Sequence, residues 1–410
     1  MLATIANKLR WSYRKNGPDL LALLKRDYPD FVFAARPEPL REQVPVFHFH
    51  TVEPVSFEEK LQFLATNGYR TLSGEQFRAC IAGEKPIPPA SVLLTFDDGR
   101  ASLYSVAFPL LQRYGFQAIS FIIPGLTPET APATKTYEDF VRQRATAQEL
   151  LARERSAFPL CSWHEIREMH DSGVIDFQSH TMHHHQACIA NILVDFFHPR
   201  FDTYFFGNIN VPVYRNHGVL DFNRRVALGT PIYRAEPRMA GQPQFFDDEM
   251  LREAMVQFVQ ENGGTAFFEN RNWRRELLAF YRARRPQHTM TRFETPVEQR
   301  EAILSDLQQA KRAIEERLPG KKVTHLCYPW FMGSALAVKL SQQAGYRLNY
   351  WGIVPRRPGN RAGDNLFYVP RLEDHYIFRL PGAGRKSLAA ILQAKFRAHA
   401  PGFAQQLAQN

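Results

Sequence analysis

The chain has 410 residues, of which 44% are hydrophobic and 13% aromatic, and it carries a formal net charge of +10. This composition excludes a disordered chain and a small disulfide scaffold, and it allows one large domain with an elaboration, or two domains. A basic balance favours anionic partners. No nucleic-acid-binding signature accompanies the dispersed basic residues, so we expect no nucleic-acid partner. We interpret the basic doublets as solvated surface or as charges that steer an acidic substrate: Arg224-Arg225, Arg274-Arg275, Arg284-Arg285, Lys321-Lys322 and Arg356-Arg357.

The N-terminal stretch and the cysteines bear on where the protein works. Charged residues interrupt the apolar positions of Met1–Phe31, so this stretch lacks the apolar core of a secretory signal. No later stretch approaches the ~18 apolar residues that a spanning helix needs. The four cysteines include no C-x-x-C pair, which indicates a reducing compartment, and we expect a cytoplasmic protein. Two interpretations of Leu20–Leu24 remain open: a helix packed on the domain, or a segment in peripheral contact with an anionic membrane.

Short apolar strands alternate with helices along most of the chain. Ser56 and Ser162 are predicted helix N-caps, because a glutamate follows each of them three residues later. The alternation predicts an α/β fold with a mostly parallel sheet. The predicted strands are Val44–Phe49, Ser91–Phe96, Gln117–Ile123, Val174–Gln178, Val323–Cys327 and Arg347–Trp351. The predicted helices are Ser56–Asn67, Leu103–Tyr114, Ser162–Ser172, Val297–Leu318 and Ser334–Ala344.

The rhythm changes between about residues 187 and 295. This stretch is rich in aromatic and basic residues, its strand signals are weak, and it contains helix-like pieces at Asp247–Glu261 and Trp273–Arg284. We interpret it as an insertion whose fold the sequence does not reveal and which shapes specificity by covering the site. The predicted organisation is an N-terminal helical extension over residues 1–40 and one domain over residues 41–410 that the insertion interrupts.

Two adjacent carboxylates follow a predicted strand, in Thr95-Phe96-Asp97-Asp98-Gly99. Functional groups collect at the carboxyl ends of parallel strands. Two carboxylates held close together repel, and a cation or different roles for the two would relieve that repulsion. The plain alternative is a surface turn, for which Asp-Asp-Gly is also a typical sequence.

Histidines cluster after the strand that ends near Gln178. His180 and His184 are four residues apart, which on a helical turn would place both rings on one face, the spacing that zinc requires. His183 and His185 are further candidates, and a histidine-rich surface turn is the plain alternative. A carboxylate with two histidines is a three-ligand set with open positions, as in catalytic metal sites.

These two motifs resemble those of the polysaccharide deacetylases, the family that includes chitin and peptidoglycan deacetylases. Thr95–Gly99 resembles the first family motif, and His180-Thr181-Met182-His183-His184 resembles the second, His-Ser/Thr-x-x-His. The resemblance implies a distorted (β/α) barrel, Asp97 as general base, and Asp98, His180 and His184 as ligands of Zn²⁺, or of Co²⁺ or Ni²⁺. It covers about Pro45–Leu126, Cys161–Gln186 and Arg300–Arg371.

A third segment, Leu326-Cys327-Tyr328-Pro329-Trp330, resembles the strand-end Tyr-Pro segment of one branch of this family. The resemblance implies that the backbone N–H of Tyr328 stabilises the tetrahedral oxyanion. That branch usually carries a glycine two residues after the proline, where this chain has Phe331.

The resemblance to the family is least specific for the residue that would act as general acid. Asp374-His375 is a reversed form of the His-Asp motif that many members carry. Pro45–His50 resembles the first-strand pattern of the exopolysaccharide deacetylases, which implies that His50 protonates the leaving amine. His48 points to the same strand face and stays an alternative. Arg371 lies where this branch has an arginine, and it would pair with Asp97 and keep it ionised, or else lie on the surface.

The resemblance implies a metal-dependent hydrolase that removes an N-acetyl or other acyl group from an amino sugar. Because we expect no secretion, an N-acetylated glycan precursor in the cytoplasm is the favoured substrate. Two alternatives remain open: a hydrolase of a non-sugar amide, and a glycan-binding protein with a degenerate site.

Overall fold

The computed structural model of the protein describes residues 17, 19–201 and 206–395. Its strands, in chain order, are β1 Val46–Phe49, β2 Arg70–Thr71, β3 Ser91–Asp98, β4 Ala118–Ile122, β5 Ile175–Ser179, β6 Gln186–Phe196, β7 Pro212–Val213, β8 Arg215–Asn216, β9 Val219–Leu220, β10 Pro231–Pro237, β11 Phe245–Phe246, β12 Arg292–Phe293, β13 His325–Cys327, β14 Leu348–Tyr350 and β15 Leu372–Glu373. The α-helices are Asp30–Phe33, Pro54–Thr66, Gly74–Ile81, Phe108–Tyr114, Tyr137–Val141, Ala147–Leu150, Trp163–Asp171, Glu249–Glu261, Trp273–Arg284, Pro296–Arg317 and Ala335–Gln343.

Parallel strands form one curled sheet whose two ends meet. The sheet runs in the order β14-β13-β5-β4-β3-β1-β15, and β2 pairs with the start of β3. The two ends of this path meet, because Tyr350 of β14 forms a parallel bridge with Val369, which leads into β15, and β15 pairs with β1. Every residue of β3 and β4 is buried, as expected for parallel strands covered on both faces. The predicted α/β fold, a distorted (β/α) barrel, is therefore confirmed.

The capping signals in the sequence predicted the start of one helix correctly and that of another incorrectly. Helix Trp163–Asp171 begins at the predicted capping box, in which Ser162 and Glu165 exchange hydrogen bonds. Helix Pro54–Thr66 begins before Ser56, so the prediction that Ser56 is the N-cap of this helix was wrong. The Glu53 side chain accepts hydrogen bonds from two backbone N–H groups instead, and Pro54 fits the first helical position, where its missing N–H costs nothing.

The stretch between β5 and helix Pro296–Arg317 forms its own sheet and core. The long strand β6 pairs antiparallel with β10 and parallel with β7. Helices Glu249–Glu261 and Trp273–Arg284 pack on this sheet. Strand β6 has no simple alternation of apolar and polar residues, which is why its sequence gives a weak strand signal.

The N-terminal extension is only partly described, since residues 1–16 and 18 lie outside the described residues. Residues 19–25 are helical, with Asp19 and Ala22 buried against the domain and Leu20, Leu21 and Leu24 exposed. This helix is therefore packed on the domain through one face. In the described parts of the chain, none of the helices combines the length and apolar character needed to cross a bilayer.

Candidate active site

The carboxyl ends of three strands of the parallel sheet, β3, β5 and β13, bring the predicted site residues together. Asp97 and Asp98 end β3, His180 directly follows β5, and Cys327 ends β13. Asp98 and Gly99 both have φ of +68°, so the chain turns sharply as soon as the second carboxylate is in place. Both aspartates are buried, so this is not a surface turn.

Asp98, His180 and His184 form a compact buried cluster. The Nε2 atoms of the two histidines lie 3.5 and 3.6 Å from Asp98 Oδ1. One donor atom from each residue lies within 4.8 Å of the others. His183 and His185, the further candidates, lie outside this cluster: His183 stacks on Phe222, and His185 Nδ1 is 3.9 Å from an oxygen of Asp306.

The three donor atoms fit a divalent metal. The separations from Asp98 are too long for hydrogen bonds, but they are close to the roughly 3.4 Å between neighbouring ligands of a tetrahedral ion with bonds of about 2.0–2.1 Å. His180 Nδ1 lies 2.9 Å from the Cys327 carbonyl oxygen, so a proton on Nδ1 leaves the Nε2 lone pair facing Asp98. Burial lowers the pKa of both histidines and keeps them neutral, which is the form that binds metals.

The histidine loop, residues 180–185, is not helical, so the two rings are not brought together by a helical turn. Thr181 and His184 instead adopt left-handed conformations, with φ of +68° and +44°. The His184 N–H donates to Thr181 Oγ1 at 3.1 Å, which tightens the turn. This compact turn brings the rings of His180 and His184 to 4.8 Å between centroids.

Arg371 lies at Asp97, not on the surface. Its Nη1 and Nη2 donate to the two Asp97 carboxylate oxygens at 2.7 and 2.8 Å, and neither side chain is exposed. Burial alone would raise the pKa of Asp97, but the positive charge of Arg371 and its hydrogen bonds to the carboxylate more than offset this and hold that pKa below its usual range. Asp97 is therefore ionised and oriented.

His50 and His48 differ in their access to the site. His50 Nε2 lies 3.9 Å from Asp97 Oδ2, and its side chain is 42% exposed. His48 packs against Phe331, and its Nδ1 is buried without a hydrogen-bond partner among the described residues. Burial, with Arg371 and His50, holds the pKa of His48 well below its usual range, so His48 is a poor proton donor. The geometry favours His50 over His48.

Tyr328 does not match its predicted role in this geometry. Its backbone N–H donates to the Tyr350 carbonyl oxygen at 3.1 Å, as part of the pairing between β13 and β14, so it is not available to an oxyanion. Phe331 fills the position where the resembling branch has glycine, and its φ of +60° is the left-handed conformation that glycine adopts most easily. The loop therefore keeps a glycine-like conformation without the glycine.

Cys327 is a site residue whose role the sequence did not indicate. Its buried Sγ lies 2.9 Å from Arg371 Nη2 and 3.7 Å from Asp97 Oδ1. Asp97, His180 and Cys327 form a second group with metal-ligand spacing. A cation there would lie against the Arg371 guanidinium, so this second group does not fit a metal.

Sequence comparison finds a family match over part of the chain. Residues 84–194 match the family model described as polysaccharide deacetylase. The predicted resemblance to polysaccharide deacetylases is confirmed. The matched deacetylase region contains both Thr95–Gly99 and His180–His184, whereas His50, Tyr328 and Arg371 lie outside it.

Two curated deacetylases are similar over part of the chain. The chain is 34% identical over 143 residues to a poly-beta-1,6-N-acetyl-D-glucosamine N-deacetylase of Escherichia coli K12, a match that covers 35% of this chain and 19% of that protein. It is 26% identical over 142 residues to the protein of the same name from Staphylococcus aureus MRSA252, covering 35% and 41%. The match thus spans less than half the length of either relative.

Solved deacetylase structures are similar at a lower level. A de-N-acetylase from Aggregatibacter actinomycetemcomitans is 17% identical with a TM-score of 0.47, covering 81% of this chain and 94% of that one. The deacetylase domain of BpsB from Bordetella bronchiseptica is 16% identical with a TM-score of 0.47, covering 82% and 97%. The strand order and closure described above, rather than these similarities, establish the fold.

Proposed function

We propose that the chain is a divalent-metal-dependent deacetylase that removes an N-acetyl group from an amino sugar in a glycan or glycan precursor. The observation that carries this proposal is the buried cluster of Asp98, His180 and His184 directly beside the Asp97–Arg371 ion pair. Three neutral or anionic donors with open positions, next to an ionised carboxylate that is not a ligand, are the parts that metal-assisted amide hydrolysis requires.

Asp98, His180 and His184 would hold the metal, which when bound would polarise the substrate carbonyl and lower the pKa of a bound water. Nitrogen and carboxylate donors suit Zn²⁺, Co²⁺ or Ni²⁺. The hydrogen bond between His180 Nδ1 and the Cys327 carbonyl fixes the orientation of one ligand ring.

Asp97 and His50 would move the protons. Arg371 keeps Asp97 ionised and occupies one side of each carboxylate oxygen, which leaves further lone pairs to accept a proton from the attacking water. His50 is partly exposed and lies 3.9 Å from Asp97 Oδ2, so it can reach both solvent and substrate. It would donate a proton from its ring to the leaving nitrogen as acetate departs.

The substrate class rests on the relatives and on charge. The curated relatives are named for the deacetylation of poly-beta-1,6-N-acetyl-D-glucosamine. The formal net charge of +10 would favour an anionic substrate, such as a phosphate-bearing precursor. We propose an N-acetylglucosamine unit as the reacting sugar, a cytoplasmic location, and a phosphate-linked carrier as the favoured context.

The first test measures divalent metal in the purified protein, in Asp98→Ala and His184→Ala, and in His164→Ala as a control at an exposed histidine. We expect about one ion per chain in the wild type and the control, and loss in the two ligand variants. Absence of metal from the wild type after reconstitution with Zn²⁺, Co²⁺ or Ni²⁺ would overturn the proposal.

The second test measures acetate released from β-1,6-linked N-acetylglucosamine oligomers and from phosphate-linked N-acetylglucosamine. Asp97→Asn should keep its metal and lose turnover. Metal binding with no acetate release from either substrate would favour the glycan-binding protein or a non-sugar amide substrate. Comparison of the two substrates decides between a polymer and a precursor.

A further inference from the structure

A buried arginine of the insertion holds the histidine loop. Arg224 lies between β9 and β10 and is 1% exposed, whereas the adjacent Arg225 is exposed. The Arg224 guanidinium donates from Nη2 to the His183 carbonyl oxygen and from Nη1 to the His184 carbonyl oxygen, the latter at 3.4 Å. Among the described residues, the side-chain hydrogen bonds of Arg224 go to these two carbonyls.

These two carbonyls belong to the peptide groups on either side of His184. Holding both peptide planes fixes the backbone angles of His184, and therefore the direction in which its side chain leaves the backbone. The φ of His184 is +44°, a conformation that non-glycine residues adopt only when their surroundings enforce it. Arg224 supplies that enforcement from outside the barrel.

A buried carboxylate holds the other end of the loop. Asp306, on helix Pro296–Arg317, accepts a hydrogen bond from the Met182 N–H at 2.9 Å. That peptide group directly follows Thr181, which with His184 is one of the two left-handed residues of the loop. A cation from the insertion and an anion from the barrel helix thus hold the two strained points of one loop. Phe222, also from the insertion, stacks on His183 at 3.7 Å between ring centroids.

We propose that Arg224 is a positioning residue for the metal site, with Asp306 as its counterpart, and that the insertion is a working part of that site in addition to covering it. This inference rests on the proposed function, because it requires His184 to be a metal ligand. Outer-shell partners that orient ligands contribute strongly to metal affinity in other sites. Here the partner acts on the ligand's backbone instead of its ring.

The test compares Arg224→Met and Arg224→Lys with Arg225→Met, a matched change at the exposed neighbour. Each full-length protein is stripped with a chelator, and its Zn²⁺ dissociation constant is measured by competition with a chromophoric chelator. The visible absorption of the Co²⁺-loaded proteins reports the geometry of the ligands, which a loss of global stability alone would not change.

We expect Arg224→Met to weaken Zn²⁺ binding by about 10–100-fold and to change the Co²⁺ spectrum. Arg224→Lys should fall between that variant and the wild type, because an ammonium keeps the charge but lacks the planar fork that reaches two carbonyls. Arg225→Met should match the wild type in both measurements.

Wild-type affinity and a wild-type Co²⁺ spectrum in Arg224→Met would overturn this inference and leave the proposed function standing. If Arg224→Met does not fold, the same two measurements on Arg224→Lys decide: equality with the wild type overturns the inference, and weaker binding with a changed spectrum supports it. A wild-type protein that binds neither ion would overturn the proposed function, and this inference with it.

Discussion

Arg371 and Asp97 form a buried two-pronged ion pair, although 274 positions separate them in the sequence. The guanidinium fork matches the carboxylate, and Arg371 also contacts Thr95 Oγ1 at 3.2 Å and the Trp351 carbonyl oxygen at 3.0 Å. A buried ion pair with its remaining donors satisfied is stable, whereas either charge left alone in this position is costly. The ion pair therefore serves both stability and the ionisation of Asp97.

Arg371→Met should destabilise the fold by about 3–5 kcal/mol, because it leaves the Asp97 charge buried without a partner. The depressed pKa of Asp97 contributes stability at neutral pH that is lost as the pH falls below about 4, the value in an unfolded chain. Without Arg371 the pKa of Asp97 rises, so the acid limb of kcat/KM should move to higher pH. Denaturant unfolding and pH–rate profiles check both effects, with exposed Arg361→Met as control. An unmoved acid limb would contradict the role of Arg371.

The left-handed conformation of Phe331 predicts that glycine at this position gives a more stable protein than alanine, the reverse of the usual order. Phe331→Gly and Phe331→Ala both remove the ring, but only glycine adopts a φ of +60° without strain. The free energy of unfolding should be about 1 kcal/mol higher for the glycine variant. At Phe158, an exposed residue without a positive φ, alanine should be the more stable of the two. Equal stabilities at Phe331 would show that the loop relaxes.

Kinetics can decide between His50 and His48 as general acid. His50→Asn should lower kcat for acetate release by about 10²–10⁴-fold, as expected when a general acid is removed. His48→Asn should lower it much less, because the His48 ring packs against Phe331 and its Nδ1 is buried. Metal content should be unchanged in both variants. The reverse order of effects would assign the acid to His48.

Because His325 is buried, we predict that the protein loses stability in mild acid. The His325 side chain is buried at the start of β13, with Nδ1 3.1 Å from the Tyr350 hydroxyl, and burial lowers its pKa to about 4. In the unfolded chain its pKa is about 6.5, so the unfolded state takes up the proton first as the pH falls from 6.5 to 4. Stability should fall over this window by about 3 kcal/mol on account of His325. Denaturant unfolding at several pH values should show a shallower loss in His325→Gln; an unchanged slope would contradict the assignment.

The barrel could be predicted because its signals are local. Strands β3, β4 and β5 are short apolar runs followed by turn residues, and Asp97-Asp98 and His180 stand where those runs end. The spacing of four residues between His180 and His184 indicated that the rings could meet but not how, because the spacing fits a tight turn as well as a helical one. The left-handed conformations of Thr181 and His184 have no signature in the sequence, since neither residue is a glycine.

Contacts between residues that are far apart in the chain could not be predicted from the sequence. Arg224 and Arg225 form one of the basic doublets interpreted as solvated surface, yet only Arg225 is exposed. Nothing local separates a buried arginine from its neighbour, because what buries Arg224 is its contact with a loop about forty positions earlier. Asp306 is similarly one acid among many on a long amphipathic helix. The pairing of the Tyr328 N–H with Tyr350 follows from the register of β13 and β14, which only the fold reveals.

The closure of the sheet by the segment that carries Arg371 has a consequence for how the protein matures. During synthesis on the ribosome, the guanidinium that neutralises Asp97 is made 274 positions after Asp97 itself. The Asp97–Arg371 ion pair therefore cannot form before that point, and such long-range closure is slow. We expect catalytic competence to be the last property acquired: in refolding, acetate release should lag behind the recovery of helical circular dichroism.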